Sequence, residues 1–209
     1  MTGKFITIEG LEGVGKSTQA NNLAQWIKTK GHTIVRTREP GGTPIAEAIR
    51  DVVLDMHPEK MDPTTELLLV FAARKQHTES LIRPSLTKGA WVLSDRYTDA
   101  TYAYQGGGRK LDLATISHLE NLVLKGFKPD LTIWLDCDAE IGLARAKARG
   151  ALDRIEVEDI GFFNQCRAAY QQRFEADPMR FIRLDANQSI EAVKADLVQA
   201  LEGWYDTNS

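Results

Sequence analysis

Residues 10 to 17 read Gly10-Leu11-Glu12-Gly13-Val14-Gly15-Lys16-Ser17, a full match to G-x-x-x-x-G-K-[ST]. The spacing suits one task, the seating of phosphates. Glycines let a loop turn its N–H groups inward without a Cβ in the way. Those amides, with the N-terminus of a following helix, make an anion site. Lys16 would place a point charge on the β- and γ-phosphates of a nucleoside triphosphate, and the Ser17 hydroxyl is placed to ligate Mg²⁺. A second group, Asp95-Arg96, closes the apolar run Trp91-Val92-Leu93. In α/β sheets the C-terminal strand ends border the ligand crevice. Asp95 is therefore a candidate for the metal or the phosphates, and the planar fork of Arg96 for a substrate phosphate. Leu131–Asp136 has the same form, and there loop capping is expected of Asp136. Arg149 and Arg154 flank Gly150, where a closing segment would bring positive charge to a transferred phosphoryl group.

These residues need a scaffold, and the hydrophobic pattern supplies one. Phe5–Ile8, Thr33–Val35, Trp91–Leu93, Leu131–Leu135 and Phe181–Leu184 are short apolar runs bounded by Gly, Pro or charge, and they predict five strands. Their near-continuous apolarity suits parallel strands buried on both faces. Helical patterns fill roughly 16–30, 43–55, 63–88, 112–125, 139–149, 155–175 and 188–205. The alternation predicts an α/β fold, a doubly wound five-stranded parallel sheet flanked by helices, with right-handed crossovers. No linker or repeat interrupts residues 1–209, so one domain is expected, with a short mobile lid at about 147–156.

Composition narrows the class. The chain has 209 residues, 43% hydrophobic and 26% charged, with a net charge of −3. That excludes a broadly basic coat for a nucleic acid polymer, though not a local basic pocket. The longest apolar run, Leu67 to Ala73, is too short to cross a bilayer, and the N-terminal apolar stretch is too short for a secretory signal. Cys137 and Cys166 share no metal or redox spacing, so reduced cysteines in a cytoplasmic protein are expected. The four histidines show no ligand spacing, and His77 and His118 are expected on helix surfaces.

Thr37-Arg38-Glu39-Pro40-Gly41-Gly42-Thr43, Asp95-Arg96-Tyr97, Ala103-Tyr104-Gln105-Gly106-Gly107, Pro129-Asp130-Leu131-Thr132 and Leu152-Asp153-Arg154-Ile155-Glu156 together resemble bacterial thymidylate kinases, in order and over almost the whole chain. The resemblance implies the P-loop fold and transfer of the γ-phosphate of Mg-ATP to dTMP, giving dTDP and ADP, in a cytoplasmic homodimer. It implies an ATP site made of the phosphate loop with Thr18, Arg145, Arg149 and the Ala186-Asn187-Gln188 turn. On the dTMP side, Glu39 and Pro40 would border sugar and phosphate, Arg50 and Arg96 would hold the monophosphate, and Glu9 would sit beside it. Arg74 would bond a thymine carbonyl, Thr101 and Gln105 would read the base edge, and Tyr104 would fill the space of a 2′-hydroxyl.

One departure matters, and the phosphate loop places the chain within the family. Where many relatives stack a Phe on thymine, this chain has Val70, with Phe71 next to it. Phe71 is the expected base contact. In one branch of the family a basic residue inside the phosphate loop helps catalysis; positions 11–14 here carry none, so the resemblance is to the branch with a basic lid, and Arg154 is favoured over Arg149 at the transferring phosphate. Lys16, Mg²⁺ on Ser17, Arg96 and Arg154 are then expected to share the transition-state charge. Three other readings stay open: a kinase for another small acceptor, a nucleotide switch, and a non-catalytic nucleotide-binding module. The guanine reader Asn/Thr-Lys-x-Asp is absent, which counts against the switch.

Overall fold

The computed structural model describes residues 3–148, 150 and 153–208. Five parallel strands, β1 Phe5–Glu9, β2 Ile34–Arg38, β3 Trp91–Asp95, β4 Leu131–Asp136 and β5 Phe181–Asp185, lie in the order β2-β3-β1-β4-β5. From β1 the chain skips to the edge strand β2, returns to fill the gap with β3, then crosses to β4 and β5 on the other side of β1, and this reversal opens a crevice above the C-terminal end of β1. The register sets Ile8 beside Asp95 and Glu9 beside Trp134, so the phosphate loop, Asp95 and Arg96 leave the sheet at one edge.

Helices cover both faces: α1 Lys16–Thr29, α2 Pro44–Leu54, α3 Pro63–His77, α4 Arg83–Thr87, α5 Thr98–Thr101, α6 Leu113–Leu124, α7 Ala139–Lys147, α8 Ile160–Ala176 and α9 Ile190–Asn208. The largest core cluster joins β1, β3 and β4 to α1, α8 and α9 through Ile6, Ile8, Leu23, Ile133, Phe163 and Leu197. β1 and β4 are buried along their whole length, whereas β2, at the edge, is only half-buried, with Arg36 and Arg38 exposed. Full burial on both faces thus belongs to the inner strands.

The expected helix at 63–88 runs through Thr87 but contains a π-helical turn, Thr78–Ile82. Pro84 has no N–H to give the preceding turn, and the ladder widens before α4 restarts. The helix expected at 155–175 begins later, at Ile160, with the Asp159 side chain accepting from the Phe162 N–H. Asp153 instead accepts from the N–H groups of Ile155 and Glu156, which makes that stretch a turn. One helical element is unexpected: α5 continues into a π-helical turn, Tyr102–Gly108, through the AYQGGG stretch. A Cβ on Gly107 would lie 2.6 Å from the Gln165 carbonyl oxygen, and one on Gly108 2.4 Å from the Phe162 ring. The glycines admit α8, and close packing outweighs their poor helix propensity.

Candidate active site

The phosphate loop is built as its sequence demands. Gly13 and Gly15 have φ of 70° and 91°, backbone that glycine adopts freely. A Cβ on Gly13 would meet the Gly142 carbonyl oxygen at 2.0 Å, so α7 also packs against the loop. The N-terminus of α1 has no side-chain cap and no acidic residue in its first turn. The amides of Lys16, Ser17 and Thr18 are therefore available to an anion. Ser17 and Thr18 are exposed, and Lys16 is half-buried. Its Nζ donates to the carbonyls of Leu11 at 2.6 Å and Gly10 at 3.2 Å. Burial, reinforced by the Arg96 charge, pulls its ammonium down to about 8.

Asp95 lines two clefts, one together with Ser17 and the other together with Lys16. Its Oδ1 is buried without a hydrogen-bond partner among the described residues. An orphaned carboxylate oxygen near a free hydroxyl, with no cluster of three His, Cys, Asp or Glu among the described residues, fits a hard cation that takes few protein ligands and several from substrate.

Two contiguous clefts continue from the loop and share Glu12, Glu39, Pro40 and Arg96. The phosphate-side cleft adds Lys16, Arg38 and Arg50. Arg50 donates to the Pro40 carbonyl at 2.7 Å, and burial together with Arg38 lowers its guanidinium from the usual range. Cations that depress one another in this way favour an anion between them. Arg96 donates to Glu12 at 2.8 Å and to the Tyr170 hydroxyl at 3.1 Å, and stacks 4.6 Å over the Tyr104 ring. Tyr104 in turn donates to both Glu12 oxygens. The Glu12 backbone belongs to the phosphate loop, but its carboxylate faces the acceptor side, a role that its place in the loop motif hides.

The base-side cleft is lined by Val70, Arg74, Thr101, Tyr104 and Gln105. Arg74 is fully buried and donates to Glu39 at 2.7 Å, to Thr101 Oγ1 at 2.8 Å and to the Tyr97 carbonyl at 3.0 Å. Glu39 also takes His77 Nδ1 at 2.9 Å, and Thr37 Oγ1 lies 2.6 Å from His77 Nε2. His77 is thus buried between Glu39 and Thr37, not on a helix surface. His118 is exposed.

Three expected placements are corrected. Phe71 is buried among Leu67, Tyr102 and Ile116, and Val70 lines the cleft in its place. Leu67 and Phe71 share one helical face by their i, i+4 spacing, and that face meets α6. Phe71 instead supports Arg74, whose guanidinium lies 5.1 Å from its ring. Glu9 does not open onto the cleft. It is wholly buried, accepting from the Tyr97 N–H and the Tyr170 hydroxyl, each at 2.7 Å. Burial, with the Asp99 charge added, pushes its carboxyl up to about 8. Arg154 turns away from the phosphate loop. Its Nε donates to the Val53 carbonyl at 2.8 Å, its backbone N–H to Leu54 at 3.1 Å, and its Nη2 to Glu66 at 2.7 Å. It satisfies the open carbonyls at the end of α2. Arg149 lies outside the described residues. Arg145 donates to the Ala186 carbonyl at 2.9 Å, at the turn after β5.

Two outcomes follow. Arg154→Ala should lower the unfolding free energy by about 1–3 kcal/mol, read by urea denaturation, with kcat within about tenfold of wild type. An arginine finger would instead cost about 10³ or more in kcat, and that result would place Arg154 at the phosphate. Arg74→Ala should raise the KM for the acceptor at least tenfold more than that for the triphosphate, since its contacts with Glu39, Thr101, Tyr97 and Phe71 lie on the acceptor side. Equal effects would remove it from the acceptor site.

Comparison with known proteins places the chain in a family. The thymidylate kinase family profile matches residues 8–197. The chain is 52% identical over 204 residues to "Thymidylate kinase" of Teredinibacter turnerae, covering 98% of this chain and 100% of that one. It is 55% identical over 197 residues to "Thymidylate kinase" of Pseudomonas fluorescens strain Pf0-1, covering 94% of each. The crystal structure of thymidylate kinase from Ehrlichia chaffeensis superposes with a TM-score of 0.78 at 30% identity, over 97% of this chain and 99% of that chain.

Proposed function

The chain belongs to the thymidylate kinase family, and we propose that its joined clefts seat ATP and dTMP with their phosphates meeting between Lys16 and Arg96. The reaction is the ATP-dependent phosphorylation of dTMP to dTDP. A dTMP phosphate oxygen attacks the γ-phosphorus, the bond to the β–γ bridging oxygen breaks, and ADP leaves. Little covalent chemistry is asked of the protein, which positions two anions and neutralises charge. The observation that carries this reading is the continuity of the two clefts through Glu12, Glu39, Pro40 and Arg96.

On the ATP side, the loop from Gly10 to Gly15 and the amides of Lys16, Ser17 and Thr18 cradle the phosphates, while Arg145 and the Ala186 turn border adenine. On the dTMP side, Arg50 and Arg96 hold the monophosphate. Tyr104, with Glu12, stands against the sugar, and Arg74, Thr101 and Gln105 meet the base over Val70. Ser17 and Asp95 are the residues that would hold Mg²⁺, which when bound would supply charge neutralisation for the transferred phosphate. The remaining charge falls to Lys16 and Arg96, because Arg154 is committed to Glu66. Of the lid expected at about 147–156, residues 149, 151 and 152 lie outside the described residues.

The chain acts as one domain, as a homodimer in the cytoplasm. Exposed Ile45, Val52, Met56 and Leu68 on or next to α2 and α3 give a second copy an apolar surface, and two free buried cysteines suit a reducing compartment. Among the described residues no helix is long and apolar enough to cross a membrane. The test is product formation from ATP and dTMP at graded Mg²⁺. Wild type should make dTDP, and Asp95→Asn should raise the Mg²⁺ needed for half-maximal rate at least tenfold. An unchanged requirement would take Asp95 out of the metal site.

A further inference from the structure

Glu66 draws no attention in the sequence, where it reads as an acid in the first turn of a helix. In the structure its side chain is 1% exposed and receives groups from three residues on two distant segments. Oε1 accepts from Gln105 Nε2 at 2.8 Å and Arg109 Nε at 3.2 Å. Oε2 accepts from Arg154 Nη2 at 2.7 Å and Arg109 Nη2 at 3.2 Å. Arg109 also pairs with Glu158 and lies 4.8 Å over the Phe162 ring. Burial alone would push the Glu66 carboxyl up, yet the donors from Gln105 and Arg109, the Arg109 charge and the donor from Arg154 hold it below the ordinary range.

An ionised carboxylate can only accept. Gln105, whose two amide ends differ in chemistry but hardly in shape, must therefore turn its nitrogen to Glu66. Its oxygen has no hydrogen-bond partner among the described residues, and Gln105 lines the base-side cleft. The cleft at this point meets a fixed acceptor. Thymine and uracil carry a ring N–H donor at their pairing edge, and cytosine carries a ring-nitrogen acceptor with an amino donor beside it. A fixed oxygen bonds the first pattern and opposes the ring nitrogen of the second.

We propose that Glu66 is a positioning residue for acceptor selectivity, fixing the polarity of the Gln105 amide so that the site takes pyrimidine monophosphates with a ring N–H and rejects dCMP. Arg109 and Arg154 serve this by keeping Glu66 an acceptor. The proposal rests on the reading above that Gln105 meets the acceptor base.

The experiment measures kcat/KM for dTMP, dUMP and dCMP with Mg-ATP held saturating. In Glu66→Gln the new amide can donate as well as accept, so Gln105 is free to present either end. The dTMP/dCMP ratio should fall at least tenfold, with the KM for ATP unchanged. Glu66→Asp keeps the acceptor-only group at a shorter reach, and should weaken dTMP and dCMP in proportion with their ratio intact. If Glu66→Gln does not fold because Arg154 is left unpaired, E66Q/R154M removes both members of the pair and carries the same expectation. An unchanged ratio in the amide variant, or an equal fall in Glu66→Asp, would overturn the proposal and leave Glu66 a structural anchor. Gln105→Leu separates the underlying reading. If it leaves the KM for dTMP unchanged, Gln105 does not meet the base. If it raises that KM while Glu66→Gln leaves the ratio intact, only the positioning role fails.

Discussion

Lys16→Ala is expected to lower kcat about 10³-fold, which corresponds to about 4 kcal/mol of transition-state stabilisation. The size follows from where the ammonium sits. Its Nζ is tucked against the Leu11 and Gly10 carbonyls, beside the α1 amides that receive the triphosphate. Charge developing on the transferred group is met there in a partly water-excluded site, where each unit charge counts for more than in bulk water. Burial and Arg96 pull the Lys16 ammonium down to about 8 in the free protein. An anionic ligand favours the charged form, so ligand binding must raise that value. Triphosphate affinity should then be full below pH 8 and weaken as pH rises through it, because binding must take up a proton that Lys16 has lost. In Lys16→Ala this dependence should vanish, leaving a weaker and flatter profile between pH 7 and 9. A calorimetric titration of wild type and variant at several pH values reads both. Equal slopes in the two proteins would mean that another group titrates.

How much of this was legible in the sequence depended on distance along the chain. The phosphate loop is local: eight consecutive residues specify both the loop and its ligand, and the strand before it and the helix after it follow from short-range pattern. The five strands and their parallel direction were equally legible, though not their order in the sheet, since an apolar run between amphipathic helices has few other homes. What stayed hidden was pairing over long separations. Arg154 carries a sequence signature of a lid cation, but its partner Glu66 is 88 residues away. Nothing near Arg154 says that it will cap α2 instead. Glu9 sits where a strand end should meet ligand, and only the fold brings Tyr170 across to cover it. Phe71 and Val70 are adjacent, so the question was one of helical phase, and the contact of Leu67 and Phe71 with α6 decided it. The helix through Tyr102–Gly108 was disguised by its glycines, which read as loop because the helix they admit lies far along the chain. Glu12 shows a further kind of concealment: one residue gives its backbone to the triphosphate loop and its carboxylate to the acceptor cleft, and a motif reports only the first.

The same division of labour explains why Arg96 should be the second most sensitive position. Arg96→Ala is expected to lower kcat/KM for dTMP about 10²–10³-fold, because one guanidinium spans Glu12, Tyr170 and the phosphate cleft over the Tyr104 ring. Arg96→Lys should recover little of it, since a point charge cannot replace a planar fork that holds two groups at once. A backbone argument separates this from damage to the fold. Arg96 has φ of 70°, a left-handed conformation that costs a side-chain-bearing residue about 1 kcal/mol. It is held there by its N–H on the Ile8 carbonyl and by the Ser94 hydroxyl on its own carbonyl. Glycine takes that conformation freely. Arg96→Gly should therefore be more stable to urea than Arg96→Ala by about 1 kcal/mol while being no more active. Strain retained at a residue that chemistry requires is how a site trades stability for function. If Arg96→Gly keeps kcat/KM within a few-fold of wild type, the guanidinium is not part of the acceptor seat, and the strain at this position serves only the turn out of β3.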